Sequence, residues 1–293
     1  MGSGIIYREI TVKSALTRVQ GMPFAWSLNP YMGCERACVY CYAREYHARR
    51  GRDTAAGFDR EIDVKINFTE LLAHELRRLR KRETVALGTA TDPYQQCEGR
   101  YRITRRTLEA LVASPLPLVL ITKGSMVVRD VDLLSRLDVK VCISIGTVSA
   151  ELARTSEPHA SPPKARLEAV RRLVSAGIDA GVLAAPILPG LSDSEESLDA
   201  VAAAAANSGA TFFSTRPLKL DPGVKPHYFA FLSENYPALL PATEARFSQR
   251  VNPARSYTQT LEDRARGCGR ATGSRSVRSE RPPSQRRRPS CAW

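Results

Sequence analysis

The sequence predicts an α/β protein built as a partial (βα)6 open barrel with a disordered basic C-terminal tail. Three observations carry that reading. Between about residues 20 and 220, short apolar runs alternate with amphipathic helical patterns, the mark of stacked βα units around a parallel sheet. Polar residues gather just past successive apolar runs, where βα proteins place their active face. From Arg264 onward the chain is rich in Gly, Ser, Pro and Arg, without apolar periodicity. Such a composition buries too little surface to offset the entropy of ordering.

The elements follow in order. Residues 24–28 read as a first strand running into a cysteine-bearing loop. Residues 69–80 form an amphipathic helix, with Leu71, Leu72, Leu76 and Leu79 on one side and Thr69 as its N-cap. Strand 84–88 precedes a polar loop, and 104–113 is the next helix. Strand 117–122, helix 127–137 and strand 139–145 follow. Helix 163–176 stops at Gly177, as a C-cap should. Strand 180–187, helix 194–206 and strand 211–218 complete six units. Cys142, inside an apolar strand, reads as a small hydrophobe. The expected organisation is a lead-in over 1–19, a core with a helical extension over 20–263, and the tail over 264–293.

Composition narrows the function. The 293 residues are 43% hydrophobic, enough for one large α/β domain. The net charge of +13 suggests a nucleic-acid partner until its distribution is considered. Nine arginines against one glutamate from Arg264 onward place +8 of the +13 in the last 30 residues. The remaining +5 is unremarkable, and Cys268 and Cys291 in the tail read as incidental. No charged-then-apolar leader is visible and no apolar run reaches the ~18 residues of a membrane span. A cytoplasmic, reducing compartment is therefore expected, with no membrane association.

Seven cysteines, odd in number and unevenly spaced, do not make a disulfide framework. Three of them, Cys34, Cys38 and Cys41, fall within eight residues of the segment Asn29-Pro-Tyr-Met-Gly-Cys-Glu-Arg-Ala-Cys-Val-Tyr-Cys-Tyr-Ala-Arg44. Three thiolates from one loop can converge on one metal centre. An electron-transfer iron–sulfur cluster takes four cysteines, so three leave one iron open to an outside ligand. Zinc is the alternative: His47 lies six residues past Cys41 and would supply a fourth ligand. That alternative makes the chain a zinc-stabilised nucleic-acid-binding protein. Against it, no second Cys/His hook is present.

Past the second strand lie Thr89, Thr91 and Asp92; at the end of the third, Thr122 and Lys123. The fourth carries Ser144 and ends near Thr147. Each alone is an ordinary solvated loop residue. Together they converge on one mouth with the cysteine loop, where a lysine, hydroxyls and a carboxylate would hold a zwitterionic amino-acid moiety.

The cysteine loop, including Tyr40 before the third cysteine, resembles the cluster motif of the radical S-adenosylmethionine (radical SAM) superfamily. The segments 14–26, Ala86-Leu-Gly-Thr-Ala-Thr-Asp-Pro-Tyr-Gln95, Leu120-Ile-Thr-Lys-Gly124 and Ala185-Pro-Ile-Leu-Pro-Gly190 resemble its branch related to spore photoproduct lyase, often labelled DNA-repair-photolyase-like. The resemblance covers about residues 10–240. It implies a radical SAM-type barrel in which Cys34, Cys38 and Cys41 bind a 4Fe–4S cluster whose fourth iron chelates S-adenosylmethionine. One electron from an external flavodoxin- or ferredoxin-like donor would cleave the sulfonium. The 5′-deoxyadenosyl radical released would take hydrogen from a substrate, with a DNA lesion as the candidate. By position, Lys123 meets the methionine carboxylate, Thr91 and Asp92 the ammonium side, Ser144 the carboxylate or ribose, and backbone around Tyr40 the adenine. Spore photoproduct lyases carry a cysteine hydrogen donor where this chain has Thr89, and a longer region before the cluster motif than the 33 residues here. Cys97 is the candidate substitute donor. Tyr42 and Tyr94 are candidates for radical transfer, with packing as the alternative.

Overall fold

The computed structural model describes residues 4–79 and 81–271. Ten strands are present among them: β1 (Ile6–Ile10), β2 (Leu16–Arg18), β3 (Trp26–Leu28), β4 (Tyr31–Met32), β5 (Glu61–Lys65), β6 (Val85–Leu87), β7 (Leu118–Thr122), β8 (Val139–Ser144), β9 (Asp179–Ile187) and β10 (Phe213–Pro217). Seven form one sheet in the order β10-β9-β8-β7-β6-β3-β2. Neighbours from β3 to β10 are parallel, and β2 runs antiparallel along the β3 edge. Spatial order equals chain order because each crossover moves the chain one strand in the same direction. The six parallel strands are those expected from the apolar runs, and the architecture is the partial βα barrel.

Side-chain alternation gives the sheet two different faces. Leu118 and Leu120 of β7, Val141 and Ile143 of β8, and Ala180, Val182 and Ala184 of β9 pack with Leu72, Leu108, Val170, Leu173 and Val201 from the outer helices. Burying each large aliphatic side chain contributes about 1.5–3 kcal/mol, so this layer supplies most of the stability. The concave face carries a smaller cluster of Val119, Cys142 and Leu183, bordered by Ile121, Ala185 and Phe212. Cys142 is fully buried there, as the strand pattern implied.

Four local expectations need correction. The helix expected over 69–80 runs Phe68–Arg78, beginning one residue before Thr69, and the short helices Arg44–Ala48 and Ala56–Arg60 precede it. Thr69 does not cap it, and Asn67 at the cap position is tied through its side chain to both backbone groups of Val12. The expected helix over 127–137 is a 3-10 turn, Ser125–Asp130, followed by the short helix Val131–Leu134. Asp130 is fully buried at the junction, its carboxylate taken by Tyr94, Arg105 and Arg129, which fixes the turn there. The lead-in is not separate from the core: β2 pairs with β3, and β1 pairs in parallel with β5, Ile6 opposite Glu61 through Ile10 opposite Lys65. With β4, those two strands make a second sheet, β1-β5-β4, that local sequence patterns did not reveal. Finally, the helix Arg255–Ala271 crosses the expected start of the tail. Tyr257 and Leu261 pack into the main core, and Arg264 donates to the Asp193 carbonyl at 2.5 Å. The remainder of the expected tail, 272–293, lies outside the described residues. Among the described residues no helix is long and apolar enough to cross a membrane.

A third apolar cluster positions the site. The helices Lys225–Asn235 and Leu240–Phe247 contribute Tyr228, Phe231, Leu232 and Phe247, which join Leu218 and Leu220 against Cys38 and Tyr40. The helical extension thus caps the cysteine loop.

Candidate active site

β4 delivers the chain to the cysteine loop through Gly33, whose φ of +83° is left-handed. A Cβ there would meet the Glu61 carbonyl at 2.8 Å, so glycine is required on both counts. Ala37 is also left-handed, at φ 52°, and wraps the chain between the first two cysteines. Cys34 and Cys38 are each 6% exposed, whereas Cys41 is partly open. Burial pushes the Cys34 thiol up to about 12, helped by the charge of Asp92, and burial likewise raises Cys38 and Cys41. A bound metal would replace those protons.

Three charged residues inside the motif are buried and serve as clamps. The Glu35 carboxylate accepts from Tyr7 Oη at 2.6 Å and the Cys97 amide at 2.8 Å, while the Glu35 amide donates to Gln95 Oε1 at 2.8 Å. Arg36 donates to Asp92 Oδ2 at 3.3 Å, the His159 carbonyl at 3.0 Å and the Tyr94 carbonyl. Its path depends on Gly124, where a Cβ would sit 2.6 Å from the guanidinium. Arg44 holds the Cys38 carbonyl at 3.1 Å and Asp59 at 2.7 Å, with its guanidinium over the Phe58 ring. Charges within and beside a cysteine motif resemble solvated loop residues in sequence, so nothing there revealed these roles.

The polar strand ends converge on this loop. Asp92 accepts four hydrogen bonds, from the Tyr94 amide (2.8 Å) and Thr122 Oγ1 (2.6 Å) at one oxygen, and from the Lys123 amide (2.9 Å) and Arg36 at the other. Thr91 Oγ1 donates to the Gly33 carbonyl at 2.6 Å and accepts from Gln95 Nε2 at 3.0 Å. Both residues therefore fasten the loop to the sheet, with their hydrogen-bonding capacity already committed. Thr89 Oγ1 sits 2.9 Å from Ser27 Oγ and accepts from Asn29 Nδ2 at 3.0 Å. Tyr42 is exposed and its hydroxyl donates to the Thr89 carbonyl, while Tyr94 is buried with its hydroxyl on Asp130.

The other wall is electrostatically different. Lys123 Nζ donates to Ser144 Oγ at 2.6 Å and the Ala185 carbonyl at 3.4 Å. It lies 3.6 Å from Glu157 Oε1 and 5.6 Å from the Tyr40 ring centroid. Glu157 also accepts from Tyr40 Oη and from Arg166, and Arg166 donates in turn to the Ser144 carbonyl at 2.7 Å. Burial alone would raise the Glu157 carboxyl, but the Arg166 and Lys123 charges overcome it and hold the group at about 2. Glu157 and Arg166 were not foreseen from the sequence. One signal was present: Arg166 shares the apolar face of helix Pro163–Ser175 with Ala169, Val170 and Leu173, an unusual place for an unpaired charge.

Cys97 is 2% exposed, packed in the main core at the start of the helix Glu98–Tyr101. Burial, then the neighbouring Glu35 charge and a hydrogen bond to it, drive the thiol far up. These surroundings are those of a packed structural thiol. His47 is buried against Phe58, its Nδ1 near the Asp53 carbonyl at 3.3 Å. Among the described residues, no three or more His, Cys, Asp or Glu side chains are grouped as a site for one metal ion. Three soft thiols carried by one clamped loop are a donor set that suits iron–sulfur ligation.

Comparison with known proteins agrees with this geometry. Residues 28–201 match the model of the Radical SAM superfamily. An uncharacterised protein of Mycobacterium tuberculosis is 37% identical over 269 residues, covering 89% of this chain and 79% of the relative. A radical SAM Nα-GlyT isomerase of Pseudomonas phage M6 is 25% identical over 166 residues, 56% of this chain and 33% of that protein. The solved structure of spore photoproduct lyase complexed with dinucleoside spore photoproduct shares the fold, with a TM-score of 0.70 at 16% identity, covering 91% of this chain and 79% of that one. The chain belongs to the radical SAM superfamily, whose enzymes use S-adenosylmethionine with an iron–sulfur cluster and an electron from an external donor.

Proposed function

We propose that this enzyme holds a 4Fe–4S cluster on Cys34, Cys38 and Cys41, cleaves S-adenosylmethionine reductively and directs the radical at a DNA lesion. The observation that carries the reading is the pairing of a three-thiol loop with a buried, net-positive wall in which Lys123 and Arg166 face a single carboxylate, Glu157. When bound, the cluster and S-adenosylmethionine supply a one-electron cleavage that yields methionine and a hydrogen-abstracting 5′-deoxyadenosyl radical. The chain's own residues bind, orient and exclude water. Lys123 and Ser144 receive the methionine carboxylate, and backbone around Tyr40 borders the adenine. Thr91 and Asp92 act through the loop, which they fasten, so they set the ammonium side only by fixing the cysteines. The DNA-lesion substrate draws support from the shared fold with spore photoproduct lyase. A flavodoxin- or ferredoxin-like protein in the cytoplasm supplies the electron.

Anaerobic reconstitution with iron and sulfide, followed by dithionite, should give 5′-deoxyadenosine, and Cys38→Ala should abolish both cluster and product. A cluster-loaded protein that leaves S-adenosylmethionine intact would sink the chemistry. Active cleavage with unchanged photoproduct levels in ultraviolet-irradiated DNA would remove the DNA lesion alone.

A further inference from the structure

We propose that Glu157 is a positioning residue for the cofactor carboxylate: it fixes the Lys123 ammonium at the ends of β7 and β8 without occupying it. The inference rests on the proposed reading of Lys123 as the partner of that carboxylate.

The distances separate holding from occupying. An ammonium has three donors. Lys123 directs one to Ser144 Oγ at 2.6 Å and another to the Ala185 carbonyl at 3.4 Å. Glu157 stands 3.6 Å away, inside ion-pair range but beyond a normal hydrogen bond. Its attraction orients the ammonium and leaves a donor for a ligand. The Lys123 side chain is 15% exposed, against 5% for Glu157 and 2% for Arg166, so the lysine is the member that a ligand reaches.

Glu157 is itself unsuited to bind a ligand. One oxygen takes Arg166, and the other takes the Tyr40 hydroxyl and faces Lys123. Arg166 is anchored by the Ser161 carbonyl at 2.5 Å and the Ser144 carbonyl at 2.7 Å. Through these bonds one carboxylate connects the cysteine loop at Tyr40, the end of β7 at Lys123, the end of β8 at Ser144 and the helix carrying Arg166. Two buried cations and one anion leave a net charge of +1. Charge left unbalanced in a poorly hydrated site is costly, and one incoming carboxylate closes it. Without Glu157 the same place would carry two cations, repelling one another across the Ser144 backbone.

The test compares equilibrium binding of S-adenosylmethionine and its decarboxylated analogue to the cluster-loaded protein under anaerobic conditions. The readout is the ratio of the two affinities. Wild-type protein should favour the carboxylate-bearing cofactor. Lys123→Ala should lower the ratio well below wild type, leaving the preference that chelation of the carboxylate by iron supplies. Glu157→Gln keeps the shape but removes the charge; the added positive field by itself would raise the ratio, so a ratio that falls, by about tenfold, reports the lost positioning of Lys123, and a raised ratio overturns the inference. A general structural defect would weaken both ligands equally and leave the ratio unchanged, which overturns the positioning role. A wild-type ratio in Lys123→Ala overturns the underlying reading of Lys123 instead. Should Glu157→Gln fail to fold or load, Tyr40→Phe removes one donor to Glu157 and leaves every charge in place. It should lower the ratio about threefold, and an unchanged ratio there overturns the inference.

Discussion

On the wall formed by the cysteine loop and residues 89–95, buried charge is closed by protein: Asp92 accepts four hydrogen bonds and pairs with Arg36, and Glu35 is filled by Tyr7 and Cys97. On the wall at the ends of β7 and β8, Lys123, Arg166 and Glu157 carry an excess positive charge, with the lysine the most exposed of the three. Equally polar in sequence, the two walls have different work. The first is scaffold, because a satisfied group has nothing left to offer a ligand. The second, on the proposed function, is receptor, because its charge would be completed from outside.

That contrast can be broken by substitutions on each side. The largest effect should come from Asp92→Ala, which strands a buried guanidinium and cancels four hydrogen bonds. A loss of about 3–5 kcal/mol is expected, read as a lowered denaturation midpoint together with poor cluster loading. Acid provides the next test. The folded Glu157 carboxyl lies at about 2, below its ordinary value. Its contribution is therefore complete above the ordinary carboxylate range and is lost as pH falls from about 5 toward 2. The difference in stability between wild type and Glu157→Gln should shrink by about 3 kcal/mol across that window, measured by chemical denaturation of metal-free protein. An unchanged difference would show that Arg166 and Lys123 do not hold the carboxylate in its charged form.

Lys123→Ala should do the reverse of Asp92→Ala. Loading and midpoint should stay near wild type, while S-adenosylmethionine affinity falls about 10- to 100-fold in anaerobic binding. If both substitutions damage loading equally, the two walls are one structural unit and the distinction fails. The smallest effect belongs to Cys97→Ala, which removes a packed sulfur and costs about 1 kcal/mol, with cofactor cleavage within twofold of wild type. Intact cleavage with failed product formation would restore the hydrogen-donor role expected from the sequence.

What the sequence made legible follows from the range of the interactions involved. Strands β6 to β9 announce themselves locally, as apolar runs ending in polar residues, and so do Lys123, Ser144 and the three cysteines. The sheet β1-β5-β4 does not. Its parallel pairing joins residues 6–10 to 61–65, and β4 is two residues long, too short for alternation to show. Burial of polar groups was equally hidden. Glu35 and Arg36 lie between the cysteines and Arg44 just past them, yet each is 6% exposed or less because its partners accept from it or donate to it. Asp92 was visible as a residue but not as a scaffold. Its role depends on Arg36 and Thr122, brought to it from 56 and 30 positions away.

The apolar cap over Cys38 and Tyr40 has a consequence in time. Its last contributor, Phe247, is made long after Cys41. At synthesis rates of about 5–20 residues per second, the loop exists for roughly 10–40 s before its cover does. We therefore expect metal to enter during translation, while the thiols remain reachable from the side the helices later seal. Ribosome-bound chains ending before residue 225 should alkylate readily at Cys38, and released full-length protein should resist. Equal labelling of the two would place cluster insertion after folding, through the open face beside Cys41.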